Sequence, residues 1–252
     1  MTPPPEQPVA APRPPRRVGV PGLNAAQSEA VLAPPGPLLV LAGAGTGKTR
    51  VVISRIAHLV ARGARPARIL AVTFTNKAAR EMLARATALL GGRSRGKAAP
   101  GGEPERPEIS TIHSLCVRVL RRHATRLGYP ERFAIIDRGE QEAAARAALK
   151  AIKVPDTLLS PGELVDRVSR GKSRAVRPGA ALDTVSGDAD DSWTLAAAGY
   201  RRYQEALKTA GAVDFDDLLL LVDELFSDHE EVRRAEAERF DHLLVDEYQD
   251  TS

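Results

Sequence analysis

The segment Ala42-Gly43-Ala44-Gly45-Thr46-Gly47-Lys48-Thr49 contains residue types that bind phosphate. Its glycines lack a Cβ, so the backbone can wrap around an anion with its N–H groups pointing inward. In this phosphate-loop pattern, Lys48 reaches the β- and γ-phosphates and the Thr49 hydroxyl ligates Mg²⁺. Ala42 replaces the first glycine of the pattern, and Arg50 follows it directly. We therefore predict that residues 42–50 bind a nucleotide with magnesium.

Two carboxylates, Asp246 and Glu247, directly follow the apolar run Leu243-Leu244-Val245. Ligands of an open α/β sheet lie at the carboxyl ends of its strands, so a strand here would aim both acids at the phosphate loop. Asp246 would then complete the Mg²⁺ site of Thr49, and Glu247 would orient or deprotonate the attacking water. The alternative is a strand end that carries two solvated acids.

The elements that must position these residues alternate along the first half of the chain. Short continuous apolar runs, typical of strands buried on both faces of a parallel sheet, occur at 38–42, 69–74 and 109–112. Apolar residues spaced three and four apart, typical of helices, occur at 49–62, 77–90 and 114–127. This alternation predicts an α/β fold with a parallel sheet and helices on both faces. A last strand is predicted at 242–245, and 91–108 is predicted as a surface loop.

The pattern changes after residue 127. Only helical stretches are predicted between 138 and 209, at 140–152, 161–170 and 191–209, with a polar loop at 172–191. This predicts an all-α insertion with its own small core, anchored by Trp193, Tyr200 and Tyr203. Helices resume at 215–226 and 230–240. The predicted organisation is a disordered proline- and arginine-rich tail (1–17), the first part of an α/β domain (18–127), the insertion (128–210) and the second part of the α/β domain (211–252).

Charge is distributed unevenly over the 252 residues. Residues 1–126 carry 20 basic and 6 acidic side chains, whereas residues 127–252 carry 16 and 26. A basic half beside an acidic half indicates an electrostatic footprint for a polyanion. The alternative is two solvated surfaces of opposite sign that partly face each other.

Composition excludes several classes of protein. No run approaches the roughly 20 apolar residues of a membrane helix, and residues 1–17 contain no apolar stretch of a secretory signal. The single cysteine, Cys116, excludes an internal disulfide, and the scattered histidines show no metal-ligand spacing. These features predict a cytoplasmic protein without membrane contact, in which Cys116 is an inert buried thiol.

Six segments, in order, resemble motifs of the UvrD/Rep/PcrA group of superfamily 1 DNA helicases. Asp246-Glu247-Tyr248-Gln249-Asp250-Thr251 resembles the DEYQD motif of that group, and residues 42–49 resemble its motif I, including the alanine at the first place. The other four segments are Leu23-Asn24-Ala25-Ala26-Gln27 (Q motif), residues 73–82 (motif Ia), Thr111-Ile112-His113-Ser114-Leu115 (motif Ib) and Asp214-Phe215-Asp216-Asp217-Leu218 (the acidic motif before motif II). The resemblance covers residues 20–252.

This resemblance implies a RecA-like ATPase domain interrupted by a helical subdomain, and 3′-to-5′ translocation on single-stranded DNA. It implies that Gln27 reads the adenine edge. It also implies that Phe74 stacks on a base, a contact worth about 1–3 kcal/mol, while Thr75, Asn76 and His113 make polar contacts with the strand. The alternative for Phe74 is a core residue at a strand end.

Members of the group continue beyond DEYQD with a γ-phosphate-sensing glutamine, an adenine-stacking aromatic and a second RecA-like domain that supplies arginine fingers. An arginine finger contributes about 10³–10⁵ in rate. We therefore expect this chain alone to bind ATP and DNA without efficient hydrolysis or unwinding. It would be a fragment, or would act with a C-terminal helicase half or another repair partner.

Three functions remain open from the sequence. The first is the ATP-binding portion of a DNA helicase. The second is a non-hydrolysing ATP- and DNA-binding module that acts with a partner chain. The third is a phosphate-loop kinase of small molecules, against which the Asp246-Glu247 pair and the Gln27 segment argue.

Overall fold

The computed structural model describes residues 21–91, 105–178 and 191–250. The strands are β1 (Ile69–Thr73), β2 (Glu108–Thr111), β3 (Ala134–Ile135), β4 (Ala212–Val213) and β5 (His242–Val245). The helices are α1 (Ala25–Leu32), α2 (Lys48–Ala61), α3 (Asn76–Gly91), α4 (Ile112–His123), α5 (Arg138–Ala151), α6 (Pro161–Lys172), α7 (Asp191–Thr209), α8 (Asp217–Asp228) and α9 (Glu230–Ala237). The predicted tail and most of the predicted loops at 91–108 and 172–191 lie outside the described residues.

Three parallel strands form the main sheet in the order β2-β1-β5. The central strand β1 is buried at every position. Because side chains alternate along a strand, Ile69 and Ala71 lie in one core with α2 and α3, while Leu70 and Val72 are buried on the opposite face. The predicted α/β class with a parallel sheet is therefore confirmed.

Two cores lie beside this sheet. The first joins α2 and α3 to β1 through Ile53, Ile56, Leu59, Ile69, Ala71, Met82, Ala86 and Leu90. The second joins α4, the turn after it, β4, α8 and α9, and includes Cys116, Val119, Leu120, Phe133, Leu218, Leu225 and Val232. Burial raises the pKa of the Cys116 thiol to about 11, which keeps it protonated and unreactive as expected.

The predicted strand at 38–42 is wrong. The structure contains no strand there, and the side chains of Leu38, Leu39, Val40 and Leu41 are between 41% and 86% exposed. A strand buried on both faces needs a hydrogen-bonded neighbour, and none of the described strands pairs with this segment. The phosphate loop is therefore reached from an irregular apolar segment.

Helices α5, α6 and α7 pack against one another as a three-helix cluster. Its core includes Ala145, Leu149, Leu159, Leu164, Val168, Ala196, Tyr200, Tyr203 and Leu207. Tyr200 and Tyr203 are buried as predicted, whereas the side chain of Trp193 lies outside the described part of the chain. Strands β3 and β4, on either side of the cluster in sequence, form a short parallel pair. None of the described helices is both long and apolar enough to cross a bilayer.

Ion pairs join the basic first half of the chain to the acidic second half. Arg68 pairs with Asp241, and Arg126 pairs with Glu231. The carboxylate of Glu236 on α9 accepts hydrogen bonds from Arg122, His123 and Arg239. These ion pairs compensate part of the excess charge of each half within the chain itself, as expected if the two oppositely charged surfaces partly face each other.

Acid is expected to weaken the Glu236 contacts between α4 and α9. Burial by itself raises the pKa of Glu236, but the hydrogen bonds from Arg122, Arg239 and His123 outweigh it and lower the pKa to about 2. The stabilisation is complete above the unfolded-state pKa and is lost as the pH falls through the folded-state value. We expect the urea midpoint to fall between pH 4.5 and pH 2, and less steeply for Glu236→Gln than for wild type. Exposed Glu238→Gln is the matched control, and an equal slope for Glu236→Gln and wild type contradicts the assignment.

Candidate functional site

The candidate residues lie at one edge of the main sheet. Strands β1, β2 and β5 are parallel, so their carboxyl ends meet at the same edge. A cleft at this edge is lined by Val72, Thr73, Phe74, Ile112, Val245, Asp246 and Glu247. This is where open α/β sheets bind ligands.

The phosphate loop turns into α2 through left-handed glycines. Gly45 and Gly47 have φ values of 74° and 88°, which residues other than glycine rarely adopt. A Cβ on Gly47 would also lie 2.9 Å from Nε2 of Gln27. Gly47 is the N-cap of α2, so the unpaired N–H groups of the first helical turn are directed toward the loop, where an anion is favoured.

Gln27, in the first turn of α1, links this helix to the loop. Its Oε1 accepts from the backbone N–H of Asn24 at 3.0 Å, and its Nε2 donates to the carbonyl of Thr46 at 2.8 Å. The Nζ of Lys48 lies 3.4 Å from the carbonyl oxygens of both Ala42 and Gly43. The structure therefore brings the predicted Gln27 segment and the predicted loop together, with Lys48 folded over the loop.

One hydrogen bond in the site joins residues that are 197 positions apart. The hydroxyl of Thr49 donates to Oδ2 of Asp246 at 3.1 Å. Burial raises the pKa of Asp246, as does the charge of Glu247, while the hydrogen bond from Thr49 acts in the opposite direction. The two predicted magnesium ligands are thus adjacent.

Glu247 has an unusual backbone. Its φ is 56°, in the left-handed region that residues other than glycine, asparagine and aspartate seldom occupy. The amide of Gln249 donates to the Glu247 carboxylate. Strained residues of this kind cluster at functional sites, where the surrounding structure holds them in place. Glu247 is such a residue, directly after Asp246.

The predicted DNA-contacting residues follow β1 and β2. Phe74 is 65% exposed, so the alternative of a core residue is wrong. The Thr75 hydroxyl accepts from the N–H of Ala78 at 3.1 Å and thereby caps α3. Oδ1 of Asn76 accepts from the Thr111 hydroxyl at 3.4 Å. This hydrogen bond joins the start of α3 to the end of β2.

Phe215 is a residue that the sequence prediction missed. Its ring stacks on His113, with ring centroids 4.0 Å apart and planes 17° from parallel, although Phe215 itself is 52% exposed. Burial lowers the pKa of His113, and the charge of Asp216 opposes this shift. The only signal in the sequence is that Phe215 lies between two acids, Asp214 and Asp216, in the acidic motif before motif II, for which the sequence alone predicts no role.

The family model of the UvrD/REP helicase N-terminal domain matches residues 23–252. The chain belongs to this family. Within this UvrD/REP domain, the Thr49–Asp246 contact joins the predicted phosphate loop to the acids after β5, while Phe74 follows β1 and His113 lies in the first turn of α4, after β2.

Curated relatives of this UvrD/REP domain include three bacterial proteins, each named ATP-dependent DNA helicase PcrA. The protein of Bacillus subtilis is 39% identical over 232 residues, and that of Staphylococcus epidermidis is 38% identical over 235; each match covers 92% of this chain. The protein of Staphylococcus aureus is 38% identical over 231 residues, or 91% of this chain. The chain spans about 30% of the length of these relatives.

Proposed function

We propose that this chain is the ATP-binding portion of an ATP-dependent DNA helicase that moves 3′ to 5′ on single-stranded DNA. The contact between Thr49 and Asp246 carries the proposal, because it unites the phosphate loop with the acidic end of β5. The family and its relatives, which are named ATP-dependent DNA helicases, support it. The kinase alternative lacks such support.

The residues present fit a magnesium-bound triphosphate. Gly47, whose left-handed backbone suits glycine and whose Cβ would collide with Gln27, leads into the N-terminus of α2, with Lys48 beside it. The Thr49 hydroxyl and the Asp246 carboxylate are hard oxygen donors of the kind that Mg²⁺ prefers. When bound, Mg²⁺ neutralises charge on the β- and γ-phosphates.

Gln27 and Arg50 would face the nucleotide base. Nη2 of Arg50 lies only 2.9 Å from where a Cβ of Gly22 would be, so Arg50 packs on the segment that leads to Gln27. Glu247 would orient the attacking water and accept its proton. The two acids after β5 would thus have different roles, with Asp246 holding the metal and Glu247 acting on water.

Lys48→Ala is expected to weaken ATP binding about 10- to 100-fold, because a charge-assisted contact with the phosphates is lost. Fluorescent ATP titrated with Mg²⁺ in excess measures the affinity. Lys150→Ala, an exposed lysine on α5, is the matched control for loss of one positive charge. Equal affinities of Lys48→Ala and wild type would contradict the phosphate assignment.

Single-stranded DNA would cross the sheet edge over Phe74, Asn76 and the His113–Phe215 pair. Phe74 offers an exposed π-face for a base, and the His113–Phe215 pair offers a second stacked surface. The Thr75 hydroxyl oxygen already accepts a hydrogen bond that caps α3. Its contact with the DNA strand would therefore be made by the O–H group as a donor.

Phe74→Ala is expected to weaken binding of a labelled oligo-dT about 5- to 150-fold, the range of one base–aromatic stack. The ATP affinity should not change, since the proposal assigns Phe74 to the DNA strand and the nucleotide to the loop before α2. Fluorescence anisotropy measures the binding. Leu158→Ala removes a similarly exposed apolar side chain far along the sequence and serves as control; a loss as large as that of Phe74→Ala would show that the effect is not specific.

The domain organisation is part of the proposal. Residues 18–127 and 211–252 would form one RecA-like unit, with residues 128–210 as a helical insertion. The separate core of the three-helix cluster and the β3–β4 pair that flanks it in sequence support this division. A C-terminal helicase half or a repair partner would complete the motor in the cytoplasm.

A further inference from the structure

A buried ion cluster joins α6 to the start of α8. The Nζ of Lys172 lies 2.6 Å from Oδ2 of Asp214 and 2.7 Å from Oδ1 of Asp217. The three side chains are 0%, 5% and 0% exposed. One ammonium group is therefore paired with two carboxylates in the protein interior, where the interaction between charges is stronger than in water.

Helix α7 adds neutral donors to this cluster. The Tyr203 hydroxyl donates to Asp214 at 2.9 Å, and the Gln204 amide donates to both oxygens of Asp217 at 3.0 and 3.1 Å. Oε1 of Gln204 is buried without a hydrogen-bond partner in the described part of the chain. The amide is thus oriented toward Asp217 although its own acceptor remains unpaired, which is costly.

The two acids also close a tight turn. The N–H of Asp214 donates to Oδ2 of Asp217 at 3.0 Å, and the N–H of Asp217 donates to Oδ1 of Asp214 at 2.9 Å. Phe215 and Asp216 are the two residues between them. With both ends of the turn fixed inward, Phe215 extends outward, half-exposed, onto the ring of His113.

We infer that Lys172 is a positioning residue for the His113–Phe215 pair. Its ammonium group locks the Asp214–Asp217 turn, and this turn sets Phe215 at the distance and angle that stack it on His113. The inference rests on the proposed DNA-binding function and deepens it, because it makes the three-helix cluster a support of the DNA surface.

A double-mutant cycle with labelled oligo-dT tests this coupling. Phe215→Ala is expected to weaken binding about 5- to 150-fold, and Lys172→Met to reproduce most of that loss. In the Phe215→Ala background, Lys172→Met should have no further effect. Losses that multiply in the double variant would overturn the inference, because Lys172 would then act independently of Phe215.

Two readouts separate positioning from general destabilisation. The affinity for fluorescent ATP should stay unchanged in Lys172→Met. Leu159→Ala opens a cavity in the core of the three-helix cluster without touching the turn, and should leave DNA affinity unchanged at temperatures well below unfolding. An equal loss of DNA affinity in Leu159→Ala would overturn the positioning role.

A DNA-free measurement tests the geometry directly. The ring of Phe215 at 4.0 Å shifts the imidazole proton resonances of His113, which are assigned with His113→Gln. Lys172→Met should move them toward the unstacked position; if that variant does not fold, Asp217→Asn keeps the Lys172–Asp214 pair and should move them part of the way. Unchanged resonances in a folded variant overturn the inference. If wild type fails to bind oligo-dT while the resonances move, the proposed function fails and the positioning of Phe215 stands.

Discussion

Glu247→Gln is expected to leave ATP affinity unchanged while slowing hydrolysis about 100- to 10,000-fold, the usual contribution of a general base. The amide has nearly the shape of the carboxylate but cannot accept the proton of the attacking water. Asp246 and Thr49, which would hold Mg²⁺, keep their contact in this variant. Phosphate release is measured over hours with protein in excess over labelled ATP, so that slow turnover is detected.

Two variants serve as controls for this measurement. Glu238→Gln makes the same chemical change at an exposed position and should hydrolyse ATP at the wild-type rate. Lys48→Ala reports the background from contaminating enzymes. Wild-type turnover in Glu247→Gln would refute the role of Glu247. Nucleotide binding with no turnover in wild type would instead favour the non-hydrolysing module.

Lys172→Met is expected to lower the free energy of unfolding by about 3–5 kcal/mol at pH 7, the cost of breaking a buried ion pair. The variant leaves the carboxylates of Asp214 and Asp217 facing each other in the core. Urea unfolding followed by circular dichroism measures the loss. Lys208→Met, which removes an exposed lysine beside the Tyr129 ring, is the control. A loss below about 1 kcal/mol, as for a surface pair, would contradict the prediction.

The penalty should shrink as the pH falls. Burial raises the pKa of Asp217, Lys172 lowers it, and Asp214 raises it. Without Lys172 the folded-state pKa of Asp217 rises further above the unfolded-state value, so the folded variant binds a proton first and gains stability as the pH falls from the folded-state value towards the unfolded-state value. The difference between the midpoints of wild type and Lys172→Met should therefore be smaller at pH 4.5 than at pH 7.

Local patterns predicted most of the α/β framework. The last strand was predicted at 242–245 and forms there, and α7 begins and ends where the spacing indicated. These elements are long or strongly apolar, so their own residues determine them. The phosphate loop and the acids after β5 were predicted to meet because their chemistry requires a shared ligand, and the Thr49–Asp246 contact is consistent with that reasoning.

What the sequence did not predict depends on neighbours in space. Residues 38–42 have the apolar pattern of a buried strand, but burial requires adjacent strands that pair with it. Lys172 was predicted to lie in a polar loop, yet it ends α6, and two acids 42 and 45 positions later bury it. The same acids place Phe215 on His113, a pairing that no spacing rule encodes.

The exposed segment at 38–41 also affects the colloidal behaviour of the chain. Consecutive apolar side chains in water, on backbone that no described strand pairs with, offer a template for the same segment of another molecule. The net charge of +4 provides only weak repulsion between molecules, and salt screens it. We therefore expect this segment to promote self-association in concentrated solutions, and Leu39→Lys to reduce it.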